Sequence, residues 1–168
     1  EGHRVFWKNK NINKIYGKGY YVVTDSDIVP NLNCPEDFLK TFINVLEKEK
    51  SVLKVGFSLK IDDIPERNIH KQKILNWEDR FWKKKSNDGH FFAEIDTTFA
   101  LYRPMNIFEH TRFYNSLRIK EPYWAIHGGW YIDHNNLSKE QEFYMNTANN
   151  SASWRINSDK ELKTNFYD

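Results

Sequence analysis

An apolar run that ends in two carboxylates is the feature that most constrains how this chain can fold. Residues 20–24, Tyr-Tyr-Val-Val-Thr, have the aromatic and β-branched composition of a strand. Asp25 and Asp27 follow with one residue between them, so both side chains can project together from the end of an extended strand. Open α/β sheets bind their ligands at such carboxyl ends. The run therefore predicts a strand that leads into a functional edge of a sheet.

The pair of Asp25 and Asp27 has two interpretations. Neighbouring carboxylates repel each other unless a cation or a proton lies between them, and hard oxygen ligands suit Mg²⁺ or Mn²⁺. This favours a metal site that holds a diphosphate. Because aspartate is common in turns, the same residues equally fit a turn after an edge strand. A second acidic pair, Asp62-Asp63, is more typical of a solvated turn than of a metal site.

Length, charge and cysteine content exclude several classes of protein. The 168 residues fit one domain with a substantial core, and no apolar run approaches the length of a membrane span. The 25 basic and 23 acidic residues give a net charge of +2, which offers no electrostatic basis for binding nucleic acid. The single cysteine, Cys34, excludes an internal disulfide and favours a reducing compartment, so the expected location is cytoplasmic.

Helix and strand signals alternate along the chain, which predicts an α/β sheet with helices on its faces. Val55, Phe57 and Leu59 are expected on one face of the second strand. Residues 122–131 are predicted to form an aromatic loop with two flexible glycines, and residues 149–168 a partly irregular tail. The patterns predict helices over 5–15, from Pro35, over 70–84, 109–119 and 138–148, strands over 20–24 and 52–61, and one or two strands within 91–102.

Three motifs in a consistent order resemble the family-2-type glycosyltransferases of the GT-A fold. The first is a helix, then glycine, then the strand that ends in Asp25-Ser26-Asp27. The second, Glu94-Ile95-Asp96-Thr97-Thr98, is similar to the acceptor-side acidic motif of bacterial surface-polysaccharide transferases. The third, His127-Gly128-Gly129-Trp130-Tyr131, resembles their C-terminal His-x-x-Trp-Tyr loop. The resemblance extends to about Trp154 and is more specific than the Asp-x-Asp motif alone.

The resemblance implies a GT-A-like, Rossmann-like mixed sheet flanked by helices. In this family an N-terminal βαβ portion binds the nucleotide base, and the present sequence begins just before the helix that leads to Asp-x-Asp. We therefore expect residues 1–168 to form a single catalytic domain that corresponds to the C-terminal two-thirds of a longer one; the alternative is a copy that has lost part of its donor site.

The same resemblance implies roles in metal binding and catalysis. Asp25 and Asp27 would hold Mn²⁺ or Mg²⁺ against the diphosphate of the donor, with Asp27 as the principal ligand. His127 would complete the metal shell or bind the diphosphate; its alternative is a hydrogen-bonded loop residue. Asp96 is the expected general base, with Glu94 as the runner-up on the same face of an extended segment. Either carboxylate could instead cap the next element.

Five further side chains are assigned to substrate binding. Arg4 and Lys8 would contact the phosphates of the donor, although solvated helix positions suit them as well. Thr97, Trp130 and Tyr131 would contact the sugar, and the two aromatic residues equally suit a buried core.

The motifs together predict a metal-dependent glycosyltransferase that moves a sugar from a nucleotide-sugar donor to a hydroxyl of a glycan or lipid-linked acceptor, with inversion. Its product would be a bacterial-type polysaccharide such as lipopolysaccharide or capsule. A lipid-linked acceptor would bring it to the inner face of the membrane, although no amphipathic helix argues for this. The alternatives are a non-catalytic glycan-binding or interaction module derived from such an enzyme, and a nucleotidyl- or phosphoryl-transfer enzyme, whose usual glycine-rich phosphate loop or basic cluster does not occur in this sequence.

Overall fold

The computed structural model describes residues 4–104, 114–148, 155–157 and 159–163. Its helices are α1 Val5–Lys8, α2 Lys10–Tyr16, α3 Phe38–Lys48, α4 Lys71–Glu78 and α5 Lys139–Thr147. Its strands are β1 Tyr21–Val23, β2 Ile28–Pro30, β3 Lys54–Leu59, β4 Phe91–Phe92, β5 Ala100–Tyr102 and β6 Ser116–His127. Short 3-10 helices cover Asp79–Trp82 and Gly128–Tyr131. Within these described ranges, no helix is long and apolar enough to cross a membrane.

One mixed sheet of six strands organises the described part of the chain. Its order is β1-β5-β3-β6-β2, and the short β4 pairs with the first half of β6. Strands β3 and β6 are parallel, whereas the other pairs are antiparallel. The predicted α/β architecture, a mixed sheet flanked by helices, is therefore confirmed.

Alternation along β3 gives the sheet two different buried faces. Val55, Phe57 and Leu59 join Phe42 and Leu46 of α3 in the main apolar core, which confirms the common face predicted for these three strand residues. The opposite face of the sheet packs against α1. That second, smaller cluster consists of Trp7, Tyr21, Ile95, Ala100 and Tyr102.

The N-terminal helix predicted over residues 5–15 is two helices that meet at Asn9. The side-chain oxygen of Asn9 accepts hydrogen bonds from the backbone N–H groups of Asn11 and Ile12, at 3.1 and 3.2 Å. Asn9 therefore ends α1 and caps α2. The continuous apolar pattern concealed this cap, because asparagine within a helical pattern is only mildly unfavourable.

Two other predicted helices are present with shorter bounds. The helix expected over 70–84 is α4, which gives way to the 3-10 helix Asp79–Trp82. Ser138 and Gln141 form the predicted capping box at the start of α5.

Strand β6 corrects two predictions. Residues 116–119, expected in a helix, and residues 122–127, expected in a loop, belong to one strand that pairs with β3 and β2. The register with β3 shifts so that Phe57 faces residue 119 and Ser58 faces residue 124. Residues 120–123 are therefore not paired with β3. Pro122 lies in this interruption, which suits a proline because it has no backbone N–H to donate to the ladder. Residues 109–113 of the predicted helix lie outside the described residues.

The predicted irregular tail is described only in part. Residues 155–157 and 159–163 are present, and Ile156 forms an isolated bridge with Leu162. Trp154 lies outside the described residues.

Gly56 in β3 is required by the close approach of the backbone beside it. A Cβ atom at this position would lie 2.2 Å from the carbonyl oxygen of Phe99 and 3.0 Å from Cδ1 of Ile95. We expect Gly56→Ala to lower the free energy of unfolding by about 1–3 kcal/mol, as measured by urea denaturation. Gly19→Ala is the matched control, because its Cβ would meet no atom within 4 Å. Equal losses in the two variants would contradict the prediction.

Candidate functional site

The carboxyl ends of three strands meet at one edge of the sheet, and the predicted metal ligands lie there. Strand β5 is antiparallel to both β1 and β3, and β6 is parallel to β3, so β1, β3 and β6 share one direction. The connection from β1 to β2 crosses this edge, and Ile28 then pairs with His127 at the end of β6. Asp25 and Asp27 therefore lie in a connection close to His127, beyond the end of β1.

The side chain of Asp25 forms a hydrogen bond with the acidic motif, which is residues 94–98. Thr97, which is 5% exposed, donates a hydrogen bond from Oγ1 to Oδ2 of Asp25 at 2.9 Å. Burial raises the pKa of Asp25, the hydrogen bond from Thr97 and the nearby His127 lower it, and the charges of Asp27 and Asp96 raise it further. Members of all three motifs thus act electrostatically on a single carboxyl group.

Asp27 is bonded to the third motif. The backbone N–H of Gly129 donates to Oδ2 of Asp27 at 3.0 Å, and that of Gly128 donates to the carbonyl oxygen of Asp27 at 2.7 Å. A Cβ atom on Gly128 would lie 3.1 Å from this carbonyl oxygen. Both glycines were expected to provide flexibility; Gly128 instead permits the close approach of two backbone segments, and Gly129 leaves room for the side chains of His127 and Asp27.

The distance between His127 and Asp27 suits two ligands of one cation. Nδ1 of His127 lies 3.3 Å from Oδ2 of Asp27, and this buried nitrogen has no hydrogen-bond partner among the described residues. Ligands about 2.1 Å from an ion and at right angles to each other are about 3.0 Å apart. No group of three histidine, cysteine, aspartate or glutamate side chains in the described residues is arranged to hold a metal ion. Two protein ligands would leave the other positions to water and phosphate oxygens, as is usual for Mg²⁺.

Trp130 and Tyr131, predicted to contact a sugar, are both engaged within the protein. Trp130 is 2% exposed, and its indole stacks on the imidazole of His127 with ring centroids 5.0 Å apart. The hydroxyl of Tyr131 donates to Asp63, which also pairs with Lys60 at 2.9 Å. In this geometry Trp130 fixes the orientation of the His127 ring, and sugar binding by the two aromatic residues stays a prediction.

The acidic motif is an extended segment between β4 and β5. Residues 93, 95 and 97 are buried, whereas Glu94 and Asp96 are exposed, so the two carboxylates lie on one face. Asp96 is close enough to Asp25 to raise its pKa. The arrangement agrees with that expected for a general base and its runner-up, and their catalytic role stays a prediction. The hydroxyl of Thr97 donates a hydrogen bond to Asp25. Substrate binding by Thr97 stays a prediction.

Arg4, predicted with Lys8 to contact the donor phosphates, lies beside the acidic motif. A guanidinium N–H of Arg4 donates to the hydroxyl of Tyr114 at 2.7 Å. Burial raises the pKa of Tyr114, the charges of Asp96 and Glu94 also raise it, and the charge of Arg4 lowers it. Lys8 is exposed at the end of α1. Phosphate binding by these two side chains stays a prediction.

Three side chains near the site were not indicated by the motifs. Lys54 and Arg118 are buried in strands, and each bonds to the backbone of the acidic motif. A charged residue inside a strand of apolar neighbours is the signal that could have identified them. Tyr144 on α5 is 52% exposed, and its pKa is raised by partial burial and then by the charges of Asp27 and Asp25. It therefore borders the same edge of the sheet.

Comparison with known proteins adds no family to these observations. No protein-family model matches the chain, and no curated protein or solved structure matches it. A glycosyltransferase function is thus a proposal that rests on the motifs and on their placement.

Proposed function

We propose that this chain is a metal-dependent glycosyltransferase with a GT-A-like catalytic domain. It would move a sugar from a nucleotide-sugar donor to a hydroxyl of a glycan or lipid-linked acceptor. The supporting observation is the meeting of three motifs that are far apart in sequence. Asp25 is bonded to Thr97, 72 residues away, and Asp27 is bonded to Gly129, 102 residues away. A solvated turn has no need of two such long-range hydrogen bonds, whereas a composite site does.

On the donor side, Asp27 and His127 would hold Mn²⁺ or Mg²⁺, with Asp25 beside them. The ion would supply the Lewis-acid chemistry that neutralises the charge on the departing nucleoside diphosphate. Trp130 keeps the imidazole of His127 in place by stacking, and Gly129 orients the carboxylate of Asp27 through its backbone N–H. These contacts hold two ligands in position before any ion binds.

On the acceptor side, Asp96 would take the proton from the acceptor hydroxyl. The oxygen of that hydroxyl forms a bond to the anomeric carbon as the bond from this carbon to the diphosphate breaks. Such a single displacement inverts the configuration at the anomeric carbon. Thr97 links the segment of the base to Asp25, so the base and the donor site keep a fixed separation.

The proposal extends to location and biosynthetic role. An enzyme with a lipid-linked acceptor would act in the cytoplasm at the inner face of the membrane, in the synthesis of a surface polysaccharide such as lipopolysaccharide or capsule.

Metal-dependent nucleotide binding is the first test of this function. Nucleoside diphosphates with different bases are added with and without Mn²⁺, and the melting temperature is measured. At a concentration about 100 times the Kd, binding stabilises the folded state by about 2.7 kcal/mol. For a chain of this size that corresponds to a rise of roughly 5–10 °C. We expect this rise in the wild type only when nucleotide and Mn²⁺ are both present.

Asp27→Asn should abolish the metal-dependent part of the rise, because a neutral amide binds a hard cation poorly. Asp88→Asn is the matched control: Asp88 is a partly exposed carboxylate paired with Lys48, and its loss should leave the rise unchanged. A full rise in Asp27→Asn, or nucleotide binding without metal, would contradict the proposal. Sugar binding without any nucleotide binding would support the non-catalytic glycan-binding module instead.

A further inference from the structure

The backbone of the acidic motif is held by side chains from neighbouring strands. Ser116 on β6 accepts a hydrogen bond from the N–H of Ile95 at 2.9 Å and donates one to the carbonyl oxygen of Ala93 at 2.7 Å. Residues 93–99 follow β4 and belong to no strand. Apart from the N–H of Ala93, which donates to the carbonyl oxygen of Ser116 at 3.3 Å, the hydrogen bonds that hold this segment come from side chains beneath it.

Two buried basic side chains hold the residues that carry the exposed carboxylates. Nε of Arg118 donates to the carbonyl oxygen of Glu94 at 3.0 Å, and Nζ of Lys54 donates to that of Asp96 at 3.2 Å. Lys54 also bonds to the hydroxyl of Tyr102 at 3.2 Å. We name Lys54, Ser116 and Arg118, which are 0%, 3% and 4% exposed, the buried brace.

A buried lysine at position 54 is expensive for stability. Burial lowers the pKa of Lys54 to about 7 from its ordinary 10.5. The charges of Asp96 and Glu94 above it oppose this change, whereas those of Arg118 on β6 and Arg4 beside α1 add to it, and the Tyr102 hydroxyl on β5 accepts a hydrogen bond from its Nζ. An apolar side chain of similar length would avoid the cost of desolvation. Stability alone therefore gives no reason for a lysine here.

We infer that Lys54 is a positioning residue for the candidate base Asp96, which it holds toward the edge that carries Asp25 and Asp27. Ser116 and Arg118 hold the residues just before it. The catalytic meaning of this inference rests on the proposed function, whereas the structural part does not. Lys54 acts through the backbone of Asp96 and does not reach substrate, because it is fully buried.

Lys54→Met is the test of the structural part, because methionine keeps the length and removes the charge and the donor. Hydrogen exchange of the amides of residues 93–97 should become about tenfold faster. Between pH 7 and 10 the unfolded wild type binds more protons at Lys54 than the folded one, so this residue makes stability rise with pH. That contribution should vanish in Lys54→Met, whose melting temperature at pH 7 should not fall.

The catalytic part is tested with whichever nucleotide sugar the wild type turns over. We expect kcat of Lys54→Met to fall by about tenfold or more, because small displacements of a base are costly. KM for the donor should change less than kcat, because Asp27 is held by Gly129 and His127 by Trp130, outside the base segment, whereas Thr97 of that segment reaches only Asp25 on the donor side. Lys83→Met, which removes an exposed lysine paired with Asp79, is the control and should match the wild type.

The outcomes separate this inference from the proposed function. Unchanged exchange in Lys54→Met, or faster exchange with unchanged kcat, would overturn the inference while leaving a transferase function intact. A wild type that neither turns over a nucleotide sugar nor shows the metal-dependent rise in melting temperature would overturn the proposed function, and exchange alone would then decide whether Lys54 holds the segment. If Lys54→Met does not fold, Ser116→Ala should give the same faster exchange through loss of the bond to Ile95.

Discussion

Asp96→Asn is expected to lower kcat by about 10²–10⁴-fold, the usual contribution of a general base. Asparagine has nearly the same size as aspartate but does not accept a proton at neutral pH. The Asp96 side chain is exposed, and its bonds to Lys54 and Tyr102 use the backbone carbonyl oxygen, so the fold and the brace should persist. The melting temperature and KM for the donor should therefore change little. Steady-state turnover of the nucleotide sugar measures the effect.

Glu94→Gln is the matched control, because Glu94 is exposed on the same face of the same segment. If Asp96 is the base, Glu94→Gln should retain most of the activity. A larger loss in Glu94→Gln would transfer the role to the runner-up. Full activity in both variants would contradict the assignment of a base to this motif.

The sequence was a good guide to those elements in which one side of the chain faces a core. Val55, Phe57 and Leu59 alternate with smaller or polar residues, and that pattern predicts their shared face. The capping box of Ser138 and Gln141 was equally readable, because both of its hydrogen bonds are local. In each case the information lies within a few residues.

Strand β6 could not be predicted from local sequence, because its irregular pairing depends on residues far away in the chain. Arg118 and Lys120 interrupt the apolar signal, and Pro122 is typical of a strand end. The irregular register with β3 accommodates the proline, while Arg118 finds a buried partner in Glu78. Both compensations come from residues at least 40 positions away, so no local pattern reveals them.

The same distinction applies to the candidate site: the local motifs identified its residues, but not the contacts between them. The motifs identified Asp25, Asp27 and His127, which the fold brings to one edge of the sheet. The bonds that join them, from Thr97 to Asp25 and from Gly129 to Asp27, are tertiary contacts that spacing does not predict.

The second large effect is expected at the buried ion pair of Glu78 and Arg118. Nη1 of Arg118 lies 2.7 Å from Oε2 of Glu78, and each side chain is 5% exposed. Glu78→Gln keeps the shape but leaves a buried positive charge without its partner, so the free energy of unfolding should fall by about 3–5 kcal/mol. Asp79→Asn is the matched control one residue away, since the exposed pair of Asp79 and Lys83 is worth less than about 1 kcal/mol. Urea denaturation measures both.

Glu78→Met combined with Arg118→Met separates the cost of a lone charge from the value of the pair. Removing both charges leaves no uncompensated ion, so the double variant should lose less stability than Glu78→Gln alone. Some loss should remain, because Arg118 also donates to the carbonyl oxygen of Glu94 and lies 4.3 Å from the ring centroid of Phe81. If the double variant were the least stable, the pair itself would be the main source of stability. A double variant that is more stable than Glu78→Gln would show that Glu78 chiefly neutralises Arg118, so that this cation can be buried beneath the acidic motif.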